Sequence, residues 1–258
     1  MSIGTPNRGP GGGWTPRGCE SFESRSYKGI EAAAWSMRET LGLRPLDRVR
    51  AFDLLESLHL YGLWVDNQWV DGISLVPLNW RLSSEMPRGY PAYTCYDIGH
   101  RRCVEIVVSE ETYFGAESAL PHHRFTIAHE VGHAVLHTSE LMDYAHRPEA
   151  ALLAREGRGE ASHPPYRDTE WQANAYAAAL LAPAQGLEEL RRCERLTPEA
   201  LIQQFGISFQ AARLRINQFL PRRRSLLSAT RAPGAEPYSQ ATRCRDPHDP
   251  DEPYASGK

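Results

Sequence analysis

The amino-acid sequence predicts an α+β protein, and three observations lead to this class. Short runs rich in β-forming residues lie at 62–65, 73–78 and 103–108, between polar or glycine-containing turns. Apolar residues recur at helical spacing at 29–43 and in several segments after residue 120. The composition is that of an ordinary globular protein, with 41% hydrophobic and 24% charged residues over 258 positions, enough for one sizeable core.

Charge and hydropathy exclude several classes of partner. The formal net charge of −3 gives no whole-chain argument for nucleic acid or membrane binding. No apolar run reaches the ~18–20 residues of a membrane span, and the polar start MSIGTPNRGPGGGWTPRG lacks the apolar core of a secretory signal. The five cysteines are scattered without a CxxC pair, which predicts free thiols in a reducing compartment. We therefore expect a cytoplasmic protein; nothing indicates its oligomeric state.

The first half of the chain begins with a polar segment that is poor in core-forming residues, and helices and strands follow it. Residues 1–27 carry too few apolar side chains to offset the entropy of ordering, so a disordered tail is expected. The segment GIEAAAWSMRETLGL then predicts a helix with Ile30, Ala34 and Met37 on one face. A second helix is expected near residues 49–55, followed by the three strands.

The second half of the chain is predominantly helical. The segment RFTIAHEVGHAVLH predicts a helix over 124–137, and a polar stretch from about 139 to 167 predicts a long loop. A helix follows in DTEWQANAYAAALLAP at 168–183, and two shorter ones in TPEALIQQFG and FQAARLRINQFL. From Pro221 onward the chain is polar, first basic and finally acidic, which predicts a disordered tail.

The helix over 124–137 contains the pattern HExxH, which is typical of a metal site. His129 and His133 are four residues apart and therefore lie on one helical face, so that both imidazoles can reach one ion. Glu130 is turned about 100° away, a position that suits a general base rather than a ligand. Gly132 lies between them and allows a second helix to come close.

A catalytic zinc site prefers a third protein ligand, and Glu170 is the favoured candidate. It is an acidic residue on a helical face that is otherwise small and apolar, so it needs a partner that offsets its desolvation. Asn174, one turn later, is expected to hydrogen-bond a ligating imidazole. The rivals are His137, which a straight helix carries about 12 Å from His129, and Glu140 and Asp143, which require the helix to end and turn back.

The segments RFTIAHEVGH and EWQANAYAAALLAP resemble the ImmA/IrrE family of metallopeptidases. That family has the forms R-F-T-x-A-H-E-x-G-H and E-x-x-A-N-x-F-A-x-x-L-L-x-P, from which this chain departs with Tyr176 at the phenylalanine and Ala182 where methionine is frequent. The later segment FGISFQAARLRINQFL is similar to the family's V-S-x-x-A-x-x-x-R-L. The resemblance spans roughly residues 28 to 220.

This resemblance implies a zincin-like fold with a small mixed sheet, an active-site helix and a second, ligand-bearing helix. Carried over by motif, His129, His133 and Glu170 are ligands of Zn²⁺ and Glu130 is the catalytic base. The expected organisation is a disordered tail at 1–27, a zinc metallopeptidase domain at 28–190, a helical, helix-turn-helix-like module at 191–222, and a disordered tail at 223–258. The spacing between His133 and Glu170 is longer than usual, and too little chain follows for the GAF-like sensor domain of some members.

The function implied by the resemblance is cleavage of a specific protein partner, a helix-turn-helix transcriptional repressor, which relieves repression of stress or mobile-element genes. The segment CVEIVVSEE is expected to offer a strand edge to an extended substrate. The oxyanion-stabilising residue stays open among Tyr144, His146, His163 and Tyr166.

The alternative function is a DNA-binding regulator in which the zinc site is structural. The helices at 197–206 and 209–220 resemble a helix-turn-helix. Arg213, Arg215 and the run Arg222 to Arg224 would then contact phosphates. This alternative is not favoured, because it leaves the HExxH glutamate without a role.

Overall fold

A computed structural model describes residues 26–59, 62–67, 72–87, 90–99, 101–146 and 169–230. The predicted tails lie largely outside these ranges, as does most of the predicted loop at 139–167. Over the described residues the protein is a mixed α+β structure, which confirms the predicted class.

Four strands form one sheet, in the order β1-β2-β4-β3. The strands are β1 (Gly62–Asn67), β2 (Gly72–Ser83), β3 (Ala92–Asp97) and β4 (Cys103–Ser109). The β1–β2 and β3–β4 pairs are antiparallel, whereas β2 and β4 run parallel. Residues 103–108 of β4 are all buried, as expected for a central strand with an almost continuous run of apolar side chains.

The described part of the chain also contains nine helices. Ser26, Ser109, Thr197 and Ser208 each accept a hydrogen bond from a backbone N–H in the first turn of the helix that follows them. The helices are α1 (Tyr27–Thr40), α2 (Ala51–Leu58), α3 (Glu110–Glu117), α4 (Pro121–Leu136), α5 (Thr138–His146), α6 (Thr169–Leu181), α7 (Ala184–Arg192), α8 (Pro198–Phe205) and α9 (Phe209–Ala229).

The sheet order corrects the expected substrate edge. Strand β4, which contains CVEIVV, lies between β2 and β3 and therefore cannot accept another strand. Strand β3, which the sequence did not predict, is the outer strand on this side of the sheet. Its sequence AYTCYD lacks a regular alternation of apolar and polar residues, so periodicity alone does not reveal it.

Three helices, α3, α5 and α7, lie where none was predicted. Helix α3 begins immediately after β4, because Ser109 ends the strand and caps the helix. Helix α5 occupies the first part of the predicted loop at 139–167. It starts after His137, whose backbone leaves the helical region with φ −124° and ψ 24° and so ends α4.

Three buried arginines hold the helices together through backbone carbonyl groups. Arg38 of α1 donates to the carbonyl of Leu180 at 2.8 Å and also to two carbonyls of the loop at 44–47. Arg124 of α4 donates to the carbonyls of Phe205 and Gly206 at 2.9 and 2.6 Å, which lie at the end of α8. A guanidinium group suits the carboxyl end of a helix, where carbonyl oxygens lack intrahelical donors.

The third buried arginine connects the first and last helices. Arg215 of α9 pairs with both carboxylate oxygens of Glu31 in α1, at 2.8 and 2.7 Å, and donates to the carbonyl of Ala182 at 2.8 Å. The side chains of Arg215 and Glu31 are both 2% exposed, so neither charge has access to bulk water as a substitute partner. Helix α9 is therefore fixed to the same core as the helices that precede it.

Helix α9 continues to Ala229, past residue 222 where the sequence placed the start of a tail. Pro221 lies inside it and removes one backbone donor without ending the helix. Leu226 is 1% exposed, so the continued helix still buries an apolar side chain. The polar composition of 221–229 therefore reflects the exposed face of a helix.

Glu188 of α7 forms the centre of an ionic cluster with α9. It accepts hydrogen bonds from Arg191 and Arg192 of its own helix and from Arg223 of α9. Burial raises the pKa of Glu188, but the hydrogen bonds from Arg223 and Arg191 outweigh it and lower the pKa to about 2. The ionised form is thus favoured by folding.

We expect Glu188→Gln to destabilise the protein at neutral pH and to have less effect in acid. In the folded protein the pKa of Glu188 is about 2, below its ordinary value of 4.5. The ionised carboxylate therefore stabilises the fold fully above its ordinary pKa. This stabilisation is lost as the pH falls toward the pKa of the folded state. The difference in unfolding free energy is expected to shrink by about 2 kcal/mol between about pH 6 and pH 3. Urea denaturation of the wild type and of Glu188→Gln measures this difference. A difference that does not change with pH would contradict the lowered pKa of Glu188.

The state of three cysteines tests the prediction of free thiols. Cys95 and Cys103 are free thiols on neighbouring strands, as predicted. Cys193 is disulfide-bonded, so the prediction of free thiols is wrong there. Among the described helices, none combines the length and apolar character needed to cross a membrane.

Candidate metal centre

Helix α4 presents the two histidines of the HExxH pattern. Pro121 occupies its first turn, where no intrahelical donor is needed. His129 and His133 lie one turn apart with ring centroids 4.7 Å from each other, and their Nε2 atoms are 3.0 Å apart. Both rings thus point their Nε2 atoms at the same region, as the i, i+4 spacing predicts.

Helix α6 packs against α4 at Gly132. A Cβ atom at this position would lie 3.2 Å from both the Cα atom and the carbonyl oxygen of Ala173. Ala173, Tyr176 and Ala177 of α6 are fully buried, so the face predicted to be small and apolar is the packed one. The close approach brings the first turn of α6, with Glu170, next to the histidines.

Glu170 closes the cluster with one carboxylate oxygen on each histidine. Oε2 lies 3.3 Å from Nε2 of His129, and Oε1 lies 3.3 Å from Nε2 of His133. Its contacts with the imidazoles of His129 and His133 hold the pKa of Glu170 well below its usual range. Within the described residues, these three form the one group of His, Cys, Asp or Glu side chains that could hold a metal ion.

The geometry of the three side chains fits a tetrahedral metal. Ligand atoms bound at about 2.0–2.1 Å in a tetrahedron are about 3.3 Å from one another, close to the separations of 3.0 and 3.3 Å found here. Three lone-pair atoms facing each other at such distances repel unless protons or a cation lie between them. Two imidazoles and a carboxylate are also a donor set that catalytic zinc uses.

Each of the two histidines contacts a polar side chain through its Nδ1 atom, on the side of the ring away from Glu170. Nδ1 of His129 lies 3.0 Å from Oδ1 of Asn174, as predicted for this residue. Nδ1 of His133 lies 3.1 Å from Nδ1 of His137, and Nε2 of His137 lies 3.2 Å from Oε1 of Gln172. His137 therefore contacts the rear of His133 rather than the ligand cluster.

Thr94 of β3 holds Glu130, and the sequence did not predict it. Its hydroxyl lies 2.7 Å from Oε2 of the Glu130 carboxylate and 3.0 Å from the Glu130 backbone carbonyl. Thr94 and Glu130 are 7% and 6% exposed. The signal was missed because β3 itself was not predicted, and no local pattern connects residues 36 positions apart.

The remaining candidates for the third ligand lie outside the cluster. Glu140 and Asp143 are on α5, beyond the end of α4, and neither belongs to the group of potential metal ligands. Of the four candidates for oxyanion stabilisation, His146 contacts the carbonyl of Met142 at 2.7 Å and stacks on Tyr96. The side chains of Tyr144, His163 and Tyr166 lie outside the described residues.

The arginines proposed to contact DNA are partly engaged within the protein. Arg215 is buried on Glu31, and Arg223 is bound to Glu188. The guanidinium of Arg222 lies 4.4 Å from the ring centroid of Tyr27 in α1. Arg213 and Arg224 are exposed.

Comparison with known proteins supports the resemblance. Residues 113–217 match the family model Peptidase_M78, described as the IrrE N-terminal-like domain, which confirms the predicted similarity to the ImmA/IrrE family over this region. No curated protein matches the chain. A solved structure titled "Mycobacterium tuberculosis transcriptional regulator" aligns with a TM-score of 0.43 and 16% identity, over 76% of this chain and 48% of its own. The chain thus spans about half of that structure.

Proposed function

Because residues 113–217 carry an IrrE N-terminal-like domain, we propose that this protein is a zinc-dependent endopeptidase that cleaves one specific protein partner. The family supports a metallopeptidase; the metal, the roles of the residues and the partner are our proposal. In it, His129, His133 and Glu170 bind Zn²⁺ and Glu130 is the general base.

The observation that carries the proposal is the convergence of these three side chains beside a held carboxylate. Their ligand atoms all lie within 4.8 Å of one another. Glu130 follows His129 directly in α4, and the hydroxyl of Thr94 binds its Oε2. A site that served only to hold a metal would need no such positioned carboxylate.

In the proposed reaction, the protein's own residues orient the metal ligands and move one proton. When bound, zinc supplies Lewis-acid polarisation of the scissile carbonyl and favours ionisation of the attacking water. Glu130 accepts the proton of that water and delivers it to the leaving amine. Because Thr94 donates to Oε2, we assign the proton transfer to Oε1. Asn174 fixes the ring of His129 through its Nδ1.

The outer strand β3 is the proposed binding site for an extended substrate. It pairs with β4 on one side only within the described sheet. Thr94 in this strand contacts Glu130, so a peptide added along β3 would pass directly by the proposed catalytic base. Main-chain hydrogen bonds to β3 would hold such a peptide in register.

A helix-turn-helix transcriptional repressor is the proposed partner, an inference that rests on the family resemblance. We expect one discrete cut when the purified zinc form is incubated with the repressor encoded beside its gene. The cut is expected to be absent with Glu130→Gln. Degradation of casein at many sites with the repressor left intact would refute the regulatory role and leave the peptidase assignment standing.

DNA binding through α8 and α9 is the less favoured function. Arg215 is buried and Arg223 is paired, and Arg222 lies against the ring of Tyr27, so two of the five arginines remain for phosphates. A protein that relied on phosphate contacts would bind DNA with a steep dependence on salt. Measuring DNA affinity at two salt concentrations therefore tests this alternative.

A further inference from the structure

We propose that His137 is a positioning residue for the metal centre, and that Gln172 acts on the metal through it. The chain of contacts runs from Nδ1 of His133 to Nδ1 of His137 at 3.1 Å, and from Nε2 of His137 to Oε1 of Gln172 at 3.2 Å. The inference rests on the proposed function, because it assumes that His133 binds the metal through Nε2.

The direction of this chain follows from the chemistry of its last member. The carbonyl oxygen of Gln172 can only accept a hydrogen bond, so Nε2 of His137 must carry the proton that it donates. A neutral imidazole protonated at Nε2 has a lone pair at Nδ1. Nδ1 of His137 therefore accepts, and Nδ1 of His133 donates.

The consequence for His133 is a fixed tautomer. An imidazole protonated at Nδ1 has its lone pair at Nε2, the atom that faces His129 and Glu170. Gln172 thus sets, through His137, which nitrogen of His133 is available to a metal. A ligating histidine generally needs such a partner at its other nitrogen.

The placement of His137 suits this role. Its side chain is 3% exposed, and Gln172 is 4% exposed, so water does not readily replace either contact. Its backbone N–H still donates to the carbonyl of His133 at 2.9 Å, which keeps the two rings one turn apart although α4 ends here.

Helix α6 consequently reaches both histidines by separate routes. Asn174 contacts His129 directly, whereas Gln172 contacts His133 through His137. Glu170, Gln172 and Asn174 are spaced two residues apart on this helix, one as proposed ligand and two as anchors. The routes share no side chain, so Asn174 provides an independent comparison for Gln172.

The first test compares His137→Leu with His137→Asn. Leucine removes the acceptor, whereas the Oδ1 atom of asparagine is attached to Cγ as Nδ1 is in histidine and preserves an acceptor near the same place. Zinc affinity is measured by competition with a chelator, and the visible spectrum of the Co²⁺ form reports ligand geometry. We expect roughly 10–100-fold weaker zinc binding and an altered cobalt spectrum for His137→Leu, with most of the affinity retained by His137→Asn.

A double-mutant cycle tests the serial arrangement. Gln172→Met is expected to weaken zinc binding in the wild-type background and to have no further effect once His137 is leucine, because the two act in one chain. Asn174→Leu should add its full effect in both backgrounds. Thermal melting of the metal-free proteins shows whether each variant folds. If His137→Leu does not fold, the cycle is made with His137→Asn instead. In that background, Gln172→Met should weaken zinc binding by only part of the factor seen in the wild type.

Several outcomes would overturn the proposal. His137→Asn binding zinc as weakly as a folded His137→Leu would mean that the imidazole acts by packing alone. Additive effects of Gln172→Met and His137→Leu would remove the relay. A wild-type protein that binds zinc and cleaves its partner, with His137→Leu binding equally tightly, refutes this inference alone. A wild-type protein that binds no zinc refutes the proposed function as well.

Discussion

Glu130→Gln is expected to lower kcat by roughly 10²–10⁴-fold, the usual contribution of a general acid–base group, without loss of zinc. Glutamine preserves the shape of the side chain but cannot accept the proton of the attacking water. The hydroxyl of Thr94 can still donate to the side-chain oxygen of glutamine, so the local fold should be retained. Turnover of the partner protein and zinc content, measured on the same sample, give the result.

Thr94 provides the matched comparison for this variant. Thr94→Val removes the donor to Glu130 while leaving the carboxylate, so its kcat is expected to lie between those of the wild type and Glu130→Gln. Thr94→Ser keeps the hydroxyl and should remain near the wild type. Unchanged turnover of Glu130→Gln with zinc bound would contradict the assignment of Glu130 as the base.

Glu170→Ala is expected to abolish tight zinc binding. The variant removes both carboxylate oxygens, which lie 3.3 Å from the Nε2 atoms of His129 and His133. The loss of affinity should exceed the roughly 100-fold upper end found for residues that only support a ligand. Zinc content after dialysis and chelator competition both measure it.

The fold of Glu170→Ala should survive, because the side chain is 55% exposed. Glu199→Ala is a suitable control, since Glu199 is an exposed acidic residue in the first turn of α8. Both variants lose a favourable interaction with a helix amino terminus of about 0.3–1 kcal/mol, but only Glu170→Ala should lose zinc. Full zinc occupancy in Glu170→Ala would transfer the third-ligand role to another residue.

The sequence could predict which side chains come together at the candidate site, because the information for their placement is local. Two histidines four residues apart must share a helical face, and Gly132 between them indicates a close helix contact, which α6 provides. Glu170 and Asn174 could be placed by the same periodicity on a second helix. In each case, a single regular element carries the residues and fixes their relative direction.

The contacts that cross between distant elements could not be predicted in this way. Thr94 reaches Glu130 from a strand without a clear alternating pattern, and the partner of Arg215 in α1 is 184 residues away. The charge of Arg215 suggested an exposed phosphate contact, whereas its burial depends on Glu31 being in place. Sequence periodicity reports the exposed and buried faces of one element but not which element covers it.

Gly132 determines how closely α6 approaches the proposed metal ligands of α4. The backbone of α6 is so close that a methyl group at this position would displace the helix by a few tenths of an ångström, whereas metal–ligand bonds accept deviations of only about 0.2 Å. In the proposed site, the missing side chain at Gly132 would thus set the distance from Glu170 to a bound ion. A substitution at Gly132 is therefore expected to weaken metal binding at the proposed site more than it destabilises the fold. In the proposed zinc site, Gly132 would therefore determine the ligand geometry although it contributes no ligand atom.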